Sequence, residues 1–114
     1  MMTWRQRNPG LRRLQDQRRY ARHKAKIRSQ QKAAIQLLLE RVGRLKCSPC
    51  LDCGIQYNPW VMEYDHRDPG TKLFPIAFMV QKRMVWPLIE AEIAKCDLVC
   101  SNCHAERTHR RLHG

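Results

Sequence analysis

A chain of 114 residues has room for one modest core, and small domains often supplement such a core with a metal or disulfides. No apolar run of about 18 residues occurs, so no membrane span is expected. The opening MMTWRQRNPG lacks the apolar segment of a secretory signal, so the six cysteines are read as belonging to a reducing, cytoplasmic compartment, where metal binding is favoured over disulfides.

The net charge of +12 is confined to residues 1–46, where ten Arg and four Lys meet only Asp16 and Glu40. Residues 47–114 balance eight basic against eight acidic side chains. So lopsided a half points to a polyanionic partner, most often nucleic acid. The chain is therefore divided into a basic helical arm, 1–46, and a small domain, 47–114.

Asn8-Pro9 reads as a helix start, with Asn as cap and Pro at the first helical position. From Leu11 to Lys46 there is no proline and only Gly43, and good helix formers dominate. Residues 11–30 are charged on nearly every side and are expected to order only on a partner. Arg12, Arg13, Arg18, Arg19, Arg22, Lys24 and Lys26 are their candidate phosphate contacts. In residues 33–45, Ile35, Leu38, Val42 and Leu45 fall at helical spacing. That face is expected to pack on the C-terminal domain, on a second copy or on a helical partner. Residues 47–58 are turn-rich and end the helix. Residues 60–66 read as a strand, stopped by Asp68-Pro69-Gly70. Leu73 to Val80 reads as a loop and short helix, and Trp86-Pro87 opens another that ends near Lys95. Asp97 to Val99 reads as a short strand and residues 103–112 as a polar, basic helix. Trp60 and Trp86 are assigned to the core. The sum is a small α+β domain with a helical appendage.

Cys50/Cys53 and Cys100/Cys103 form two C-x2-C pairs, the donor set of a tetrahedral zinc site. About 46 residues separate the pairs, so one ion would staple the whole small domain. Cys47 and Cys50 make an overlapping C-x2-C, but Gly54 follows Cys53 and eases the tight turn there. Cys47 and Cys96 are then spare thiols. Four thiolates close the coordination sphere, so this ion is structural. It would also bring the strand carrying Asp65-His66 beside the helix carrying His104. On a regular strand Asp65 and His66 point to opposite faces. For both to face one cleft with His104, the strand is expected to bend or end there.

CLDCG, then EYDHRDP, then KCDLVCSNCHAERTHRR, over residues 47–111, resembles the HNH endonuclease family. The resemblance is to the zinc-knuckle HNH proteins of phages and bacteria in particular, and more distantly to endonuclease VII-like resolvases. It implies a ββα-metal fold stapled by a four-cysteine zinc site, in a bacterial or phage-infected cell, and metal-dependent hydrolysis of DNA. His66 is then the general base, and Asp65 and His104 hold one Mg²⁺ or Mn²⁺. The family's middle Asn lies nine residues before the final metal-binding His, which lands on Lys95; Asp97 and Asn102 are the other candidates. Arg67, Lys72, Arg107, Arg110 and Arg111 flank the site as candidate phosphate contacts. His109, five residues past His104, lies off its helical face and is assigned to phosphate or solvent. The competing reading is a non-catalytic zinc module that binds nucleic acid or helps phage packaging and assembly.

Overall fold

The structure, a computed structural model, describes residues 1–114 apart from the side chain of Arg5. Thr3 and Gln6 form a capping box: the Gln6 N–H donates to Thr3 Oγ1 (3.3 Å) and the Thr3 N–H to Gln6 Oε1 (2.8 Å). They open α1 (Trp4–Arg7), an element too short for any periodicity to announce. Helix α2 then runs unbroken from Pro9 to Leu45, 37 residues, with Pro9 in first position. The sequence suggests two helical halves of different order. One continuous helix forms because no residue between them breaks it. The division persists in packing: the chain forms two compact units, residues 1–34 and 35–114. Residues 9–30 are all exposed.

In the second unit, Ile35, Leu38 and Val42 pack on the core of their own chain. Val42 is buried with Ile76, Met79 and Val80 of α3 (Ile76–Gln81) and Ile89 of α4 (Trp86–Ile93). Ile89 is 0% exposed at the centre of this cluster. Ile89→Ala is expected to lower stability by about 2–5 kcal/mol, because lost transfer energy and the residual cavity add. Urea unfolding should show a lower midpoint with an unchanged slope.

Strands β1 (Met62–His66) and β2 (Cys96–Cys100) pair antiparallel, from Met62 opposite Cys100 to His66 opposite Cys96. Residues 67–95 connect them and contain α3 and α4. Helix α5 (Ser101–His113) follows β2 directly. Pro59–Val61 form one 3-10 turn and shorten the expected strand at its start. That turn also corrects the assignment of Trp60, which is 78% exposed rather than core. Trp86 does pack against the core, with the Arg41 guanidinium 4.0 Å from its ring centre. The stop after β1 is built as expected, the Gly70 N–H donating to Asp68 Oδ1 at 2.9 Å. Among the described residues, no helix is long and apolar enough to cross a membrane.

Candidate functional site

Cys50 and Cys53 lie in the loop after α2, Cys100 ends β2 and Cys103 sits in the first turn of α5. Their four sulfurs lie within 4.8 Å of one another and can hold one metal ion. The first knuckle turns at Gly54, whose φ of +75° suits a residue without a side chain. The Gly54 N–H donates to Cys50 O (2.9 Å) and the Cys50 N–H to Ile55 O (2.9 Å). Burial alone would raise the Cys50 thiol. The N–H groups of Cys53, Cys100 and Asp52 outweigh it and bring Cys50 down to about 6, into the ligand form near neutral pH. Cys103 is pushed up to about 12, first by its hydrogen bond with Cys100. So one sulfur ionises readily and another resists, the state of crowded thiols that a cation would relieve. Cys47 is exposed and stands outside the cluster. Cys96 is also outside it, pushed up to about 11 by burial and then by Glu92.

The antiparallel register sends Glu63 and Asp65 to one face of β1 and Tyr64 and His66 to the other. On the first face stands His104 of α5. Its Nδ1 bonds the Glu63 carboxylate, and its Nε2 lies 3.4 Å from Asp65 Oδ1. Glu63 is not anticipated from sequence, although its place two residues before Asp65 puts it on the same face. Asp65 is buried and accepts from Arg111 (2.7 and 2.7 Å) and Arg107 (2.9 Å). Burial would raise its carboxyl; those bonds outweigh it and hold it at about 2.

His66 is buried on the opposite face. The strand does not bend before it, because His66 still pairs with Cys96; the strand ends there. His66 Nε2 is 3.3 Å from Glu92 Oε1 in α4, and it makes its side-chain bond there rather than with Asp65 or His104. A cleft of about 340 Å³ nevertheless has Glu63, His66 and His104 in its wall, with Lys46 and Lys72. Of the three candidates for the middle position, Lys95 bridges furthest. Its Nζ donates to Thr71 O (2.9 Å) and to Glu92 (3.2 Å), and its carbonyl accepts the Arg67 N–H (3.1 Å). Asp97 accepts from Arg67 and Arg107. Asn102 is exposed in the first turn of α5.

The basic residues divide sharply. Arg67 donates to the carbonyls of Ala94 and Cys96 and to Asp97, closing the end of the sheet. Arg107 holds Asp52 of the first knuckle (2.6 Å), Asp65 of β1 (2.9 Å) and Asp97 of β2 (2.8 Å). The sequence marks both as phosphate contacts; both are engaged within the protein. Arg111 is tied to Asp65, while Lys72 and Arg110 are exposed. His109 is exposed, its ring 4.6 Å from that of His113. All seven candidate cations of the arm are exposed. Arg107→Ala leaves three carboxylates together without their shared cation. It is expected to cost about 3 kcal/mol, read as a fall in the urea midpoint.

No protein-family model, curated protein or solved structure matches this chain.

Proposed function

We propose that the protein is a metal-dependent DNA endonuclease of the HNH type. Zn²⁺ in the Cys50/Cys53/Cys100/Cys103 cluster is its structural staple, and one Mg²⁺ or Mn²⁺ is held by Asp65 and His104. The observation that carries this reading is the line Glu63–His104–Asp65. A carboxylate on one imidazole nitrogen orients the ring and makes the other nitrogen a better ligand. That other nitrogen lies 3.4 Å from a buried, ionised carboxylate oxygen, a separation that suits two neighbouring ligands of one cation. When bound, such an ion supplies charge stabilisation at the phosphate and at the leaving 3′ oxygen.

His66 shares the cleft with this group and acts as general base. A water gives it a proton, the water oxygen bonds to phosphorus and the P–O3′ bond breaks, leaving a 5′ phosphate. Lys46 and Lys72 hold the phosphate at the cleft. The exposed cations of α2 grip the DNA backbone without reading sequence, so binding weakens steeply with salt. The test is an assay of the zinc-loaded protein on duplex, nicked, branched and single-stranded DNA. Cleavage that requires added Mg²⁺ or Mn²⁺ is expected. Failure to cut any form would overturn the reading.

One observation favours a second reading. Both Asp65 oxygens are held by arginines, as in a carboxylate that only stabilises a fold. A non-catalytic nucleic-acid-binding zinc module would bind the same DNA forms with the same salt dependence and cut none of them.

A further inference from the structure

We infer that Glu92 is the positioning residue of His66. It fixes the imidazole with its hydrogen on Nε2, so that Nδ1 is the atom that takes the proton from water. The catalytic meaning rests on the nuclease reading above; the tautomer rests on geometry alone.

Glu92 is 1% exposed in the last turn of α4, an expensive place for an acid without partners. Three groups converge on it. The Leu73 N–H donates at 3.1 Å, Lys95 Nζ at 3.2 Å, and His66 Nε2 stands at 3.3 Å. The first two are donors only. Burial would raise the Glu92 carboxyl, but the bonds from Leu73, Lys95 and His66 outweigh it and keep it below the ordinary carboxylate range. An ionised carboxylate only accepts, so the His66 nitrogen facing it must be the one that bears hydrogen. In a neutral imidazole the lone pair is then on Nδ1. His66 lines the cleft that also contains Glu63 and His104, so this basic nitrogen belongs to a ring at the reacting site.

The same network gives Lys95 a role at the position where the family resemblance places an Asn. Lys95 joins Glu92 to Thr71 in the segment after β1, and through Glu92 it reaches His66. In the reaction, a water O–H bond breaks and its proton goes to Nδ1. The hydroxide oxygen bonds to phosphorus, the P–O3′ bond breaks, and the leaving oxygen takes a proton from solvent. The positive charge gained by the imidazole lies against the Glu92 carboxylate.

The test is a long-range proton–nitrogen spectrum of the zinc-loaded, nitrogen-15-labelled full chain at about pH 9, where an ordinary imidazole is neutral. His66 is assigned by comparison with His66→Gln. The pattern of an Nε2–H imidazole is expected. An Nδ1–H pattern would overturn the inference whether or not the protein cuts DNA. The expected tautomer in a protein that cuts no DNA would instead overturn the nuclease reading. In folded, zinc-loaded Glu92→Gln, kcat should fall by about 10²-fold with KM nearly unchanged, and Glu92→Asp should recover part of the loss. An unchanged kcat in Glu92→Gln would also overturn it. Should that variant fail to fold, the wild-type spectrum still decides.

Discussion

Replacing His66 by alanine is expected to slow DNA cleavage by about 10²- to 10⁴-fold, the range supplied by a positioned general base. The measurement is single-turnover cleavage at saturating Mg²⁺, with DNA affinity and zinc content followed in parallel. Both should stay near wild type for structural reasons. The backbone of residue 66 keeps its pairing with Cys96, and its carbonyl keeps the bond from Arg111 (3.2 Å). Glu92 retains the Leu73 N–H and Lys95 as donors, so no buried charge is stranded. A variant that binds DNA and cuts it as fast as wild type would remove His66 from the reaction.

Cys50→Ser is expected to unfold the second unit. Structural zinc in small domains contributes about 10–16 kcal/mol at neutral pH. Whole domains are stable by only about 5–15 kcal/mol, so loss of a zinc ion held by the four cysteines would exceed what the apolar clusters can hold. Cys50 is buried against Met62, Val99 and Cys100, so its loss strikes the packing of both strands as well as the cluster. Cys47→Ser is the control: that thiol is exposed, and its expected melting curve is that of the wild type. Native mass spectrometry should count one zinc per chain in the wild type and in Cys47→Ser, and none in Cys50→Ser. A Cys50→Ser protein with wild-type melting would show that the cluster is not a staple.

The cluster was legible in the sequence because C-x2-C spacing and a following glycine are local signals. Asp65-His66 and His104 stand out as candidates because they lie beside those signals. Glu63 had a readable face but a charge that suggests solvent. Glu92, inside WPLIEAEI, looks like the polar side of an amphipathic helix; only packing brings it to a histidine 26 residues away. Arg107 fails in the same way. It resembles its basic neighbours, and the three carboxylates that claim it come from three separate segments. Trp60 reads as core in the sequence, and the 3-10 turn at Pro59 leaves it outside. Helix α2 was split on composition, yet backbone continuity depends on breakers, and residues 31–34 contain none.

The pairing of β1 with β2 has a further consequence. No tight turn joins the strands, so nothing local sets how they align. A slip of one residue would reverse every side chain, placing Asp65 among the apolar residues of α3 and α4 and His66 beside His104. Cys100 stands opposite Met62 and is also one of the four clustered thiols. A metal ion bound there would pin the last residue of β2 against the first of β1 and so choose the register. By that choice it would also decide which strand residue can be a ligand and which a base.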